Sequence, residues 1–412
     1  MMNDNIKSGK KYWRSLDQIK DTPEFREFLR REFPQGASEM DNSWSRRHFI
    51  QLMGASLALA GLASCRRPVE KVVPYVIQPE EVTPGVPTYY ATTMPLGMSA
   101  HGILVKSNEG RPTKIEGNKE HPTGRGGTNI WHQAAILGLY DPDRSKGVMH
   151  KGAEASWDDF VTFWRERMTQ FQTNGGSGLA VISESFNSPT LARLKAEMQK
   201  KLPLMTWVTY EPISDENIYA GVRAATGRVL QPVFHLDRAK VILSLDSDFL
   251  QTESENAVAM LGFAEGRRVM STKDDMNRLY VVESAHTVTG GMADHRLRYR
   301  SCEIPVFALA LARELASQGL KLDSLKSIPG NIPPSVDSKW LSAVARDLIR
   351  AEGNGLILAG RRQPKAVHAL VLALNDALGN VGSTVTYHEL PDASCPDRQE
   401  LAKATQTIQS GS

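Results

Sequence analysis

The feature that most constrains the fold is the alternation of short apolar runs with helical stretches that begins near residue 178. Residues 178–183 (GLAVIS) read as a buried strand, and Ser188-Pro189 then opens a helix with Leu191, Leu194 and Met198 on one face. Residues 206–209, 240–245 and 278–283 follow as strands, each separated from the next by a helical stretch. Residues 355–360 give a further apolar strand, followed by a helix from about Pro364 to Leu378 that Gly379-Asn380 stops. Strands that alternate with helices pair in parallel, because a parallel pair needs a crossover long enough to hold a helix. Their near-continuous apolar character predicts cover on both faces. The expected fold is α/β, with a doubly wound, mainly parallel sheet.

This framework carries neither GxGxxG nor GxxxxGK[ST], so a nicotinamide cofactor or a nucleoside triphosphate lacks its usual phosphate cradle. Asp246 and Asp248, just past the third strand, stand where doubly wound folds place a ribose-binding carboxylate. The ten histidines show no HxH or HExxH and no zinc-type spacing. His295, between Asp294 and Arg296, reads as a loop histidine bonded to its neighbours. Of three cysteines, Cys65, Cys302 and Cys395, none forms a CxxC pair, and Cys302 and Cys395 are expected as separate thiols. Ser214-Asp215-Glu216 reads as an N-cap with acids in the first helical turn.

Ahead of this framework the chain is organised by export. In residues 45–65 (SRRHFIQLMGASLALAGLASC) the pair Arg46-Arg47 precedes an apolar run from Leu52 to Ala63, too short to span a bilayer. The paired arginines look like a twin-arginine signal, and the ending LASC looks like a lipobox that would lipidate Cys65. Residues 1–44 form an unusually long leader in which Thr22-Pro23-Glu24 opens a short amphipathic helix stopped by Pro34-Gln35-Gly36. Beyond Cys65, prolines at 68, 74, 79, 84, 87 and 95 predict an extended, non-catalytic tether over 66–98. With 39 basic against 38 acidic residues after Cys65, nothing points to nucleic acid.

From Ser99 the pattern changes to a β-hairpin. Its strands are residues 102–106 and 112–117, and its turn is Ser107-Asn108-Glu109-Gly110. The hairpin end IEGNKEHPTGRGG, followed by a short helix, by LYDPDR and by Ser156-Trp157-Asp158-Asp159, resembles the amino-terminal part of the molybdopterin oxidoreductase superfamily, bis-guanine-dinucleotide type. With the long twin-arginine leader it resembles the family that supplies the iron–sulfur B subunit of alternative complex III.

The resemblance implies a fold of molybdopterin-oxidoreductase type, with 99–155 a β-rich subdomain, 156–390 the α/β domain and 391–412 a polar tail. A helix is expected in that tail over residues 398–408. It implies that Asp246, Asp248, Thr289, Asp294 and His295 would line a pterin-dinucleotide site, and makes Ser214 a weak candidate metal ligand. Catalytic members hold cluster cysteines around the hairpin, but residues 89–100 and 125–131 contain none, so no thiolate is available there for iron. The family's 4Fe-4S and 3Fe-4S clusters are expected on a carboxy-terminal domain beyond these residues, the sequence reading as truncated in mid-domain.

The reading this favours is a cofactor-free scaffold in a respiratory quinol:electron-acceptor oxidoreductase, at the periplasmic face of the inner membrane. Its expected partners are a multihaem cytochrome c and quinol-binding integral membrane subunits. The alternative is an active molybdenum or tungsten enzyme holding molybdopterin guanine dinucleotide.

Overall fold

The computed structural model describes residues 22–32, 77, 79–80, 82–122, 124–253, 256–322, 337–390 and 398–410. Two compact units divide the chain, Met1–Ile77 and Gln78–Ser412. In the first, α1 (Pro23–Glu32) starts as the Thr-Pro-Glu triplet dictates, with Thr22 Oγ1 accepting from Phe25 N at 3.2 Å. Arg46, Arg47 and Cys65 lie outside the described residues. Among the described residues no helix is long and apolar enough to cross a membrane.

The second unit opens with a three-stranded antiparallel sheet, β1 (Thr88–Leu96), β2 (Ser99–Asn108) and β3 (Arg111–Gly117). The expected hairpin is present, with Glu109 and Gly110 both at positive φ (51° and 79°), as the twist of a two-residue turn requires. The expected tether ends earlier than its prolines suggest. Residues 88–96 pair with β2 through a turn at Gly97, whose φ is +57°. β1 is largely exposed and so shows no apolar alternation, while Pro95 is tolerated on an edge strand. Against this sheet stands α2 (Ile130–Gly138), closed by a reciprocal cap in which Asn129 Oδ1 accepts from His132 N and His132 Nδ1 accepts from Asn129 N.

Next come the short hairpin β4 (Val148–His150) and β5 (Ala153–Ala155), the helix α3 (Trp157–Thr173), and a parallel pair. The pair is β6 (Ala180–Ser183) and β7 (Thr206–Thr209), joined through α4 (Pro189–Lys201). The expectation of a buried strand at 178–183 is corrected. Ala180 is exposed and Ile182 is 54 % exposed, because a two-stranded sheet has no layer over that face. Leu191 and Leu194, placed together on α4 as expected, are exposed as well. The helix expected over residues 398–408 is present as α11 (Arg398–Ser410), which packs on β7 and buries Ala404.

The centre is a four-stranded parallel sheet in the order β11 (His295–Arg298), β10 (Arg278–Glu283), β9 (Val241–Leu245) and β12 (Gly355–Ala359). Alternate residues face two cores, as a pleated strand requires. Leu243, Leu245, Tyr280, Val282 and Ile357 meet α8 (Ile304–Ser317), α9 (Ser338–Arg350) and α10 (Lys365–Ala377). On the other side Ile242, Leu279, Val281, Leu356 and Leu358 pack with α6 (Asn256–Gly266). That second face is closed by an antiparallel pair absent from the sequence expectation, β8 (Leu230–Phe234) with β13 (Val385–Glu389). A further helix, α5 (Glu216–Thr226), lies along α10, with Gly221 so close to His368 that an added Cβ would sit 2.5 Å from its Cβ.

Candidate functional site

From β9 the chain runs to β10 and β11 on one side, then crosses back to β12 on the other, so the order reverses between β9 and β12. In open α/β sheets ligands enter at this reversal, outside the carboxyl ends of the strands. Asp246 stands there in the left-handed region (φ 56°), an uncommon conformation for a residue with a side chain. Its Oδ2 accepts hydrogen bonds from Ser301 Oγ and from Gln363 Nε2 at 2.9 Å. Asp248 Oδ1 accepts from both the backbone N (3.1 Å) and Oγ1 (2.8 Å) of Thr289, and Thr289 Oγ1 accepts from Leu250 N. Thr289 lies in a one-turn helix, α7 (Val288–Gly291). Three of the sequence candidates, Asp246, Asp248 and Thr289, thus share the carboxyl edge.

Asp294 and His295 do not share it. They lie at the amino ends of β10 and β11, across the length of the sheet. Asp294 is held by both terminal nitrogens of Arg267 (2.8 and 2.7 Å) and accepts from Leu279 N. Burial raises its carboxyl pKa, but the Arg267 and Leu279 bonds outweigh burial and hold it below the usual range. His295 is a strand residue rather than a loop histidine, stacked on Tyr280 at 4.7 Å between ring centres. Ser214 Oγ accepts from Glu216 N at 2.9 Å, so its oxygen serves the start of α5. Cys302 is an exposed free thiol, and Cys395 lies outside the described residues.

Beside the reversal opens a cleft of about 230 Å³ whose polar lining sequence reasoning missed. Ser185 follows β6, Glu211 follows β7, Thr252 and Glu253 follow β9, and Arg361 follows β12, with Asp215 at the start of α5 and Trp131 on α2 completing the wall. The signal was available for Ser185, Glu211 and Arg361, each of which lies just past the carboxyl end of a strand. Arg361 Nε reaches Glu253 Oε2 at 3.1 Å and Asp215 Oδ1 at 3.4 Å, all three side chains being mostly buried. Glu211 Oε1 accepts from Ser185 N at 2.7 Å. Burial pushes the Glu253 carboxyl pKa up, and Arg361 only partly pulls it back. Among the described residues no group of three or more His, Cys, Asp or Glu is placed to hold a metal ion.

These residues do not fit a pterin dinucleotide. Its pyrophosphate is a dianion, whereas among the described residues the cleft offers Glu211, Asp215 and Glu253 around one cation, Arg361, which already contacts two of them. The crevice between β9 and β12 is itself closed. A Cβ on Gly360 would lie 2.0 Å from the Asp246 carbonyl oxygen, so the two loops touch backbone to backbone.

No family model matches the chain. It is 26 % identical over 336 residues to the "Menaquinone reductase, molybdopterin-binding-like subunit" of Nitratidesulfovibrio vulgaris, covering 75 % of this chain and 47 % of that protein. The chain thus spans about half the length of the curated relative it matches. Acetylene hydratase from Pelobacter acetylenicus superposes with a TM-score of 0.51 at 15 % identity, over 69 % of this chain and 43 % of that one. The chain is thus similar in sequence, over 336 residues, to a subunit of that description, and similar in fold to acetylene hydratase.

Proposed function

We propose that this chain is a subunit of a membrane-attached respiratory quinol:electron-acceptor oxidoreductase of the alternative complex III type, and that its α/β part is a scaffold holding no pterin. The match to a menaquinone reductase subunit supports the respiratory setting. The observation that carries the scaffold reading is the acidic lining of the cleft, where Glu211, Asp215 and Glu253 outnumber Arg361 and disfavour a pyrophosphate. Electron transfer is assigned to 4Fe-4S and 3Fe-4S clusters, which the family resemblance implies lie outside these residues. The proposed partners are a multihaem cytochrome c and quinol-binding membrane subunits. Arg46-Arg47 would direct export and Cys65 would carry the lipid that holds the chain at the periplasmic face.

The test is metal and pterin analysis of the folded, membrane-extracted protein with its partners. Quinol oxidation without stoichiometric molybdenum, tungsten or pterin is the expected result. Stoichiometric metal with pterin would overturn the scaffold reading in favour of an active bis-pterin enzyme, with Ser214, Asp246, Asp248 and Thr289 the first positions to replace. Localisation is tested separately: Cys65→Ser should move the protein from the membrane to the soluble periplasmic fraction if its partners do not retain it.

A further inference from the structure

The acidic cleft has a chemistry of its own. Among the described residues its charged lining is three carboxylates, Glu211, Asp215 and Glu253, and one guanidinium, Arg361. Asp215 and Glu253 share Arg361, while Glu211 accepts from the Ser185 backbone N–H. A second feature points to a ligand. Ser185 lines the same cleft, is only 7 % exposed, and its Oγ has no hydrogen-bond partner. A buried hydroxyl without a partner is costly, and its lone pairs suit an N–H donor. A third is the rim, where Trp131 is 60 % exposed on the cleft wall beside Leu96 and Met98. Carboxylates beneath an aromatic face and a short apolar wall are the elements that bind an organic cation on an alkyl stem.

We infer that the cleft bounded by Ser185, Glu211, Asp215, Glu253 and Trp131 binds an alkyl-guanidinium or alkyl-ammonium group. The inference deepens the scaffold reading and rests on it, since a bound pyrophosphate would exclude such a cation. Glu253, desolvated and only partly compensated by Arg361, gains most from a second cation. A bare metal ion is disfavoured by the absence, among the described residues, of a three-ligand group. The cation could be a free small molecule or an arginine or lysine side chain of a neighbouring polypeptide, and the chemistry of recognition is the same.

The test titrates n-butylguanidinium into the purified chain, with ligand-observed NMR as the readout. Saturable binding is expected with a dissociation constant on the order of 1 mM, weakening as salt is raised. Glu253→Gln should weaken it about tenfold. If that variant fails to fold, Glu211→Gln and Trp131→Ala, the latter at an exposed position, should each weaken binding about three- to fivefold. Equal binding of uncharged n-butanol would overturn the inference, and so would no saturable binding by n-butylguanidinium.

Inorganic pyrophosphate separates the two readings. If neither probe binds, the cation inference alone fails; if pyrophosphate binds and n-butylguanidinium does not, the scaffold reading fails with it. The assembled complex identifies the source. Binding to the separated chain but not to the complex supports a neighbour's side chain, and binding to both supports a free cation.

Discussion

Strands β9 and β6 come from the same sequence device, a short apolar run leading into a helix, yet they end in opposite environments. β9 is flanked by strands on both sides and covered on both faces, and all five of its residues are buried. β6 pairs only with β7, and its alternate residues face outward. Parallel strands draw their stability from layers above and below more than from their own ladder, so the layers decide what each strand contributes. Leu243→Ala on β9, fully buried among the helices α8 to α10, is expected to cost about 4 kcal/mol by denaturant unfolding. Ile182→Ala on β6 should cost under about 1 kcal/mol. Similar costs at the two positions would break the contrast.

The cleft joins these regions, because its lining comes from the ends of β6, β7, β9 and β12. Arg361→Met removes the cation between Asp215 and Glu253 and leaves two mostly buried carboxylates facing one another. The expected cost is about 3 kcal/mol near neutral pH. It should shrink as pH falls. Glu253 already has a raised pKa from burial, and without Arg361 its pKa rises further, so protonation relieves the folded state before it relieves the unfolded chain. Unfolding of Arg361→Met and the parent at pH 7 and pH 5 measures this; a difference that grows toward acid would contradict the assignment of Arg361 as counter-ion.

How much of this was readable beforehand follows from what leaves a local trace. Residues 206–209, 278–283 and 355–359 are apolar runs bounded by turn residues, and they fold as the strands their sequence announces. β1 left no trace because it is exposed on nearly every residue, and proline spacing suggested a tether instead. β8 and β13 pair across the chain, and just past β8 the side chain of His235 bonds that of Thr386, 151 residues away, at 3.1 Å; no local pattern reports such a pairing. At the site, the positions of Asp246 and Asp248 were legible from the strand-end rule, whereas Thr289 entered only through the family resemblance. Asp294 and His295 share a loop in sequence with Thr289 but flank a strand start, so they fall at the other edge of the sheet. Arg361 and Glu253 were missed because their partnership spans 108 residues.

A smaller effect contrasts two buried histidines, one in each region. Burial, then the nearby charge of His101, lowers the pKa of His132 to about 4, and burial lowers that of His368 to about 4. An unfolded histidine titrates near 6.5, so each contributes stability that is fully present above that value and is lost as pH falls toward 4. With water reaching the opened site the loss is about 2 kcal/mol for each. His132→Gln should flatten the acid limb by one such share. Hydrogen exchange at pH 4.5 against pH 7 locates it: α2 and β2 should lose protection in the parent and keep it in the variant, while α10 behaves alike in both. Loss confined to α10 would show that His132 carries no linkage.

The smallest expected effect is at α3, where the contrast between covered and uncovered layers is sharpest. Trp157, Phe160, Val161 and Trp164 recur at helical spacing, the pattern that in α8 buries Ile304, Phe307, Ala308 and Leu311 completely. On α3 the same pattern buries nothing, and Phe160 and Trp164 remain 43 % and 37 % exposed. Their ring contacts stay within the helix, Phe160 lying edge-on to Trp157 at 5.7 Å and stacked on Trp164 at 6.3 Å between ring centres. Phe160→Ala in the isolated chain should therefore cost under about 1 kcal/mol, the scale of one aromatic pair, whereas Phe307→Ala on α8 should cost about 4 kcal/mol. Helix formation at α3 depends instead on its cap, where Ser156 Oγ and Asp159 exchange hydrogen bonds with each other's backbone. Ser156→Ala should then destabilise α3 by about 1 kcal/mol, as much as removing an aromatic ring from its face. If Phe160→Ala proves as costly as Phe307→Ala, the face is covered within this chain and the difference between the two layers disappears.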